Sequence, residues 1–478
     1  MITNSAAKRR AIPHAARSTR NVCLALTLGT LTLLARGQDL TAQSPVLSAA
    51  QPAGQQSSLP ELTLEQAVDI AVANNSDLKT ASLETQRATH DLAANRTQRF
   101  ATTEVTGLGA QLVTKPSVTF PAGSLGTYSG TGPIPGTDQK IEIPRKPAGT
   151  VNVSVAQPLS TQYKLHLQLK ALALGLEGTR QDQEKTRQQV VDQVRRAYYS
   201  VVETQSVLDS LQASLPYYEE SHRLALANRG KETILESDLL NAGAQLLKTQ
   251  NAISDETDRV ASASEKLNDL MGRDIHTQFR VAALDDVDAD LATPEAMEIR
   301  ALQDRPDLKK AKLQVQQADY DARAKKAEYI PDLSLAFNYY GTRNLGIVPS
   351  NIGTVGLSLK WEPWDWGRKH QEYAGKRVKE AQAKVGVSAT ERSILLEVRD
   401  ARRQVENTRR QLALSDATES AARQKLKEVQ EQVKRQAVLS RVLFETQSDL
   451  ASADSQQQQA LAAFWKARAD LKKAIGEK

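Results

Sequence analysis

The chain has 478 residues, with 62 Lys and Arg against 56 Asp and Glu, a formal charge of +6 and one cysteine. One cysteine permits neither an intrachain disulfide nor a Cys-based zinc site, and 25% charged with 40% hydrophobic residues argues against wholesale disorder. A pI of about 9.1 raises nucleic acid or an anionic membrane as a partner, to be tested against where the charge sits.

The basic excess sits at the amino terminus. Lys8, Arg9, Arg10, Arg17 and Arg20 precede the apolar run Val22–Ala35, and Leu40-Thr41-Ala42 offers a small-residue cleavage site. This pattern predicts a signal peptide over residues 1–42. Fourteen residues in the apolar run are too few to span a bilayer comfortably, so a permanent anchor is the weaker reading. Cys23 opens that run behind Val22, the wrong place for lipid attachment. Removing residues 1–42 takes away six basic residues and one acidic residue, leaving 56 against 55 and a net of +1. No nucleic-acid partner is expected of such a chain. Residues 43–61, rich in Gln, Ser, Pro and Ala, read as a flexible leader.

Beyond the leader the chain repeats itself. Residues 62–105 align with 292–335 at an offset of 230, matching Asp77/Asp307, Leu78/Leu308, Ala81/Ala311 and Ala88/Ala318. Residues 149–272 align with 353–476 at an offset of 204, apart from a slip near the prolines, and the difference of 26 residues is an insertion within Thr114–Ala148. Two copies of one plan follow, 62–272 and 294–478, joined by a linker over 273–293.

Each copy changes period in the same order. Leu64, Ala67, Ala71, Asn74, Leu78, Ala81, Thr85, Ala88 and Leu92 step by three and four, which predicts one helix. Period-two alternation follows, predicting strands near 101–113 and 149–158, and again near 331–342 and 353–362, although the first alternates poorly around Gly107 and Gly109. Long helices come next, over 160–228 and 366–432, with shorter ones over 232–271 and 437–475. Their seams, Val190, Val194, Ala197, Val201, Thr204 and Leu208 in one copy and Ile394, Val398, Ala401, Val405, Thr408 and Leu412 in the other, hold a seven-residue repeat that implies left-handed supercoiling. A helix over 160–228 would be ~100 Å long, and two helices of ~55–60 Å stacked end to end would roughly match it.

A two-stranded hairpin at the end of such a rod has little to pack on in water. Strands of this length, apolar on one face and small or polar on the other, suit a transmembrane β-barrel. Trp361, Trp364 and Trp366 close the last strand, where an aromatic girdle would meet lipid headgroups; a packed aromatic corner is the competing reading. Four strands cannot close a barrel, so several chains must cooperate.

No catalytic constellation is present: the six histidines lie out of helical reach of one another, no glycine-rich phosphate loop occurs, and neither an enzyme activity nor a cofactor is expected. Asp286-Val287-Asp288-Ala289-Asp290 begins like a calcium loop, but Leu291 stands where Gly is needed and Met297 where the last Glu is needed. A solvated linker leading into a helix start at Thr293-Pro294-Glu295 fits better.

The duplicated order, Asn74-Asn75-Ser76-Asp77-Leu78, Arg305-Pro306-Asp307-Leu308, Tyr329-Ile330-Pro331-Asp332-Leu333 and Trp364-Asp365-Trp366-Gly367-Arg368 together resemble the TolC-type outer-membrane efflux protein family over essentially all of Leu62–Gly476. The resemblance implies a mainly α fold with a small transmembrane β part: a homotrimer with a 12-stranded β-barrel in outer-membrane lipid, continued by a 12-helix periplasmic α-barrel. It implies a passive exit duct of a tripartite efflux or type I secretion system, docked to a periplasmic adaptor and an inner-membrane pump of RND or ABC type. It also places a gated entrance at the helix-hairpin tips, where Arg229, Lys231, Glu232, Glu236 and Asp238 stand at the first turn and Arg435, Arg441 and Phe444 at the second. Family members carry an acidic ring just after the second turn. This chain has Ser440, Arg441 and Phe444 there, followed by Glu445, so its entrance is expected to be less cation-selective. The alternative is a periplasmic coiled-coil adaptor or scaffold without its own pore.

Overall fold

Eight helices and one four-stranded sheet carry the architecture among the described residues. The structure, a computed structural model, describes residues 60–229, 235–282, 293–344, 349–435, 438 and 440–477. The expected signal peptide, most of the leader, Lys231, Glu232 and the Asp286–Asp290 run lie outside them, and of Arg441 only the backbone is described.

In chain order the main elements are α1 (Leu64–Asn74), α2 (Ser76–Thr97), β1 (Thr102–Gln111), β2 (Pro147–Pro158), α3 (Thr161–Arg229) and α4 (Glu236–Leu270). The same order then recurs as α5 (Pro294–Asp304), α6 (Pro306–Lys326), β3 (Asp332–Arg343), β4 (Asn351–Lys360), α7 (Arg368–Lys434) and α8 (Ser440–Ala474). Capping explains several starts. Thr63 and Gln66 form a reciprocal capping box ahead of α1. Thr293 accepts from the Ala296 amide, with Pro294 at the first position of α5. Between β1 and β2 the inserted segment folds on itself, pairing Ser117–Phe120 with Gln139–Glu142 and Thr127–Tyr128 with Gly132–Pro133.

Two helices stand where the periodicity of Leu64–Leu92 predicts one. Asn75 breaks the run with extended backbone, φ −59° and ψ 134°. Its Oδ1 accepts from the amides of Asp77 at 2.9 Å and Leu78 at 3.3 Å, capping α2, while its Nδ2 donates to the Leu270 carbonyl at 2.8 Å, capping the far end of α4. One side chain thus satisfies orphan groups on two helices 195 residues apart. In the second copy Pro306 pushes Arg305 out of the helical region (φ −62°, ψ 121°), and the Arg305 guanidinium reaches the Ala474 carbonyl at 3.3 Å. Both junctions close on a glycine with positive φ, Gly272 at +66° and Gly476 at +77°. The half-rod that precedes each sheet hairpin is therefore the 22-residue α2 or the 21-residue α6, and α1 and α5 are separate short helices.

The rods lie side by side in a fixed order. Helix α3 carries α2 and α6 near its start, where Thr85 bonds Gln183 and Lys310 bonds Asp182. It carries α4 and α8 farther along, with Ala225 packed on Leu239 and Ala242 and Lys466 paired with Glu203 at 2.7 Å. Helices α6 and α8 pack in turn on α7. The row therefore ends in α2 and α4 on one side and α7 on the other.

The main core sits at the level of the junctions and joins the two seams: Val190, Val194 and Val201 of α3 with Ile394, Val398 and Val405 of α7. Tyr198, 1% exposed, anchors the connecting segments there. Its hydroxyl lies 3.0 Å from the Leu62 carbonyl and 3.1 Å from the Ala282 carbonyl, beside the short parallel pairing of Glu61–Leu62 with Arg280–Val281. Burial pushes the phenol up to about 12, so it stays a donor at every physiological pH. Tyr198→Phe is expected to cost about 1–3 kcal/mol through the Ala282 carbonyl, since the Leu62 carbonyl still accepts from the Ala282 amide, read as a lowered thermal midpoint with unchanged helical circular dichroism at 20 °C.

Candidate functional site

The four strands form one antiparallel sheet in the order β4-β3-β2-β1. Its register lines up Val355, Phe337, Val155 and Thr103 in one row and Thr354, Asn338, Ser154 and Glu104 in the next. Since neighbours along a strand face opposite ways, one face is largely apolar and the other small or polar. Among the described residues nothing covers the apolar face: Val355, Leu357, Leu359 and Val105 are all exposed. Strands β1 and β4 each leave one edge unpaired among the described residues. Exposed aliphatic side chains and open backbone edges in one sheet are a liability in water, and proteins cover or blunt them. No helix among the described residues is long and apolar enough to cross a membrane, which says nothing of a barrel.

The tryptophan segment leads from β4 into α7. Trp364 and Trp366 meet edge to face at 5.7 Å, yet Trp366 is 91% exposed and Trp361 and Trp364 are exposed as well. A packed corner would bury them. The chain turns here through two left-handed residues, Trp366 (φ 55°) and Gly367 (φ 84°). Asp365 stabilises the turn, accepting from the Gly367 amide at 3.1 Å and the Lys369 amide at 2.9 Å at the start of α7.

At the opposite end of the rods the two turns supply the tip residues. Arg229, the last residue of α3, pairs with Glu236 in the first turn of α4 at 3.1 Å. Asp238 lies in the same first turn, where its charge favours the helix amino end. Arg435 follows α7 directly, and Lys434 before it pairs with Glu431 at 2.7 Å. Phe444 lies in the first turns of α8 and is half-buried. The structure thus joins Arg229 to Glu236 and keeps Arg435 and Phe444 at the other turn. Sequence reading quoted Asn75 and Arg305 only within resemblance motifs and gave no role to the junctions that they form with Gly272 and Gly476; the signal available was the matched glycines 204 residues apart. Among the described residues no cluster of His, Cys, Asp and Glu could hold a metal ion.

Paired helical rods continuing from a four-stranded sheet with two edges unpaired among the described residues define the class: a mainly α protein with a small β part. Residues 299–477, nearly the whole second copy, match the family described as outer membrane efflux protein. Those residues are an outer membrane efflux protein domain, and the resemblance to TolC-type proteins read from the sequence is borne out. No curated protein matches the chain by sequence. Among solved structures, the outer-membrane channel OprN is similar with a TM-score of 0.70 at 18% identity, over 87% of this chain and 90% of that one. The CmeC outer membrane channel of Campylobacter jejuni is similar with a TM-score of 0.70 at 17% identity, over 86% and 85%. The open-state MtrE outer membrane channel of Neisseria gonorrhoeae gives 0.67 at 17% identity, over 87% and 89%. At such identities the likeness is one of fold.

Proposed function

We propose that this chain is the outer-membrane exit duct of a tripartite efflux or type I secretion system. Its sheet would sit in the outer membrane and its rods extend into the periplasm. The observation that carries the reading is the continuity of the open edges: α2 leads into edge strand β1, and edge strand β4 leads into edge helix α7. One continuous side of the chain therefore offers β1, α2 and α4, and the other offers β4 and α7. Copies joined head to tail close into a ring, and three copies supply 12 strands. Substrate would pass from a periplasmic adaptor and an inner-membrane pump of RND or ABC type through the ring to the exterior. The pump would supply the energy, and separation of the helix tips would gate the flow. A pore-less adaptor has no use for an exposed apolar sheet face, and that reading is not favoured.

Membrane fractionation combined with chemical crosslinking tests the proposal: trimers in the outer-membrane fraction are expected, and a soluble periplasmic monomer would overturn it. The tip chemistry makes a second expectation. Because Arg229 neutralises Glu236 and Ser440, Arg441 and Phe444 open α8, planar-bilayer recordings in a salt gradient should show reversal potentials near zero. A reversal potential close to the cation limit would contradict the proposed role of these residues.

A further inference from the structure

We infer that the two open sides meet in a second copy of this chain in the register of its own internal contacts, with Asp400 paired to Lys266 of that second copy. This inference rests on the ring-forming reading above and adds the residue-level register of the interface. The duplication supplies the mapping. Helix α3 becomes α7 on adding 204, and α8 becomes α4 on subtracting 204. The contact of α3 with α8 inside the chain therefore has an unfilled counterpart, α7 against α4 of a neighbour.

Three features of the open sides fit that counterpart. First, Arg196 of α3 forms an ion pair with Asp470 of α8. The mapped positions are Asp400 and Lys266, a pair with the charges exchanged. Both side chains are exposed and, among the described residues, pair with neighbours on their own helices, Asp400 with Arg403 and Lys266 with Asp269. Exchange of sign preserves attraction at this position, and the other two internal pairs among the described residues, Glu203–Lys466 and Asp192–Lys473, map to Asn407 with Ser262 and Leu396 with Asp269, where no like charges meet. Second, Ser210 of α3 and Ala451 of α8 line one cavity of about 380 Å³. They map to Leu414 and Leu247, which are 69% and 62% exposed on opposite sides of the chain. Two leucines where the internal contact has small residues and a void would fill the space and cover each other.

The third feature lies in the sheet. Strand β2 maps to β4 with the offset 204, and β3 maps to β1 with the offset 230. The observed pairs Val155–Phe337 and Val153–Tyr339 then place Leu359 opposite Gly107 and Leu357 opposite Gly109 of the second copy. A Cβ at either glycine would meet nothing within 4 Å, so there is room for the leucines to lean across. The two glycines that spoil the alternation of β1 thereby acquire a role: they accept the bulk of the neighbouring edge strand. Helices and strands give the same partner, although their offsets differ.

The test uses the full-length protein in detergent, with Cys23 replaced by alanine. Lys266→Cys combined with Asp400→Cys, treated with a short bis-maleimide, should yield covalently linked trimers. Lys266→Cys with Arg410→Cys, ~15 Å farther along α7, should remain largely unlinked. Lys266→Asp alone should lower the heat-resistant trimer roughly tenfold, since it sets like charges together, and adding Asp400→Lys should restore it. Linking of the Arg410 pair in preference, or no rescue by the exchange in a protein that is still trimeric, overturns the register and leaves the exit-duct reading intact. An unmodified protein that is monomeric in the membrane fraction overturns both.

Discussion

Gly272→Ala is expected to be the most damaging glycine-to-alanine change among the described residues. Gly272 follows the carboxyl end of α4 with φ +66°, and a Cβ there would lie 2.6 Å from the Asn74 carbonyl oxygen and 2.9 Å from its carbon. Neither is the end of a side chain that could swing away; both belong to the backbone that carries Asn75. Left-handed backbone costs a non-glycine residue roughly 1–2 kcal/mol, and forced overpacking adds typically about 1–3 kcal/mol. A total of about 2–5 kcal/mol should appear as a large fall in thermal midpoint and in the yield of assembled protein. Gly476→Ala, with φ +77° and its nearest contacts at 3.2–3.3 Å, should be milder. Gly178→Ala provides the control: its Cβ would meet nothing within 4 Å, so it should be neutral or stabilising by about 0.5–1 kcal/mol as a helix-interior glycine removed. Equal damage from all three substitutions would disprove the role assigned to the junction.

Arg305→Ala is expected to have an effect of comparable size. The guanidinium, with only 11% of its side chain exposed, pairs with Asp307 at 2.8 Å and Glu397 at 2.9 Å and reaches the Ala474 carbonyl. It therefore ties the start of α6 to α7 and to the end of α8. Removing one partner of such a buried network leaves charge without compensation, at about 3–5 kcal/mol. Arg305→Asn should recover part of the loss, because Asn75 shows that an amide at the equivalent position can cap both helix ends. An Asn variant no better than Ala would refute that equivalence. Acid provides an independent readout. Burial pushes the Asp307 carboxyl up, but Lys185 and Arg305 together outweigh it and hold it below its ordinary value. A carboxylate whose folded pKa is depressed contributes stability above its unfolded value, and that contribution is lost as pH falls through the folded one. Wild-type protein should therefore lose stability below about pH 4, and Arg305→Ala should flatten that acid limb.

Much of the architecture was legible because periodicity is written locally. The seam through Val190, Val194 and Val201 and the alternation through Leu333, Leu335 and Phe337 each appear within a single segment, since burial of one face selects the residue type at every turn or every second residue. The break at Asn75 was not legible in the same way. The stepping by three and four continues from Ala71 through Asn74 to Leu78, and only the carbonyl of Leu270 explains why Asn75 interrupts the helix there. Arg305 stands in a motif legible in the sequence, but nothing local tells that its partners are Glu397 and the Ala474 carbonyl. The tip candidates were legible only as turns: charge counts could not say that Arg229 would spend itself on Glu236.

The sequence by itself determined the duplication, the α and β periods, the positions of both helix-hairpin turns and the near-neutral composition beyond residue 42, all properties of short windows or of totals. Tertiary structure alone decided which helix end meets which and how the four strands order. It also left β1, α2 and α4 on one side and β4 and α7 on the other. The physical reason is separation. A cap, an ion pair or a strand edge is satisfied by a group that can lie 200 residues away, and no local pattern records that partner until the backbone brings the two within about 3 Å.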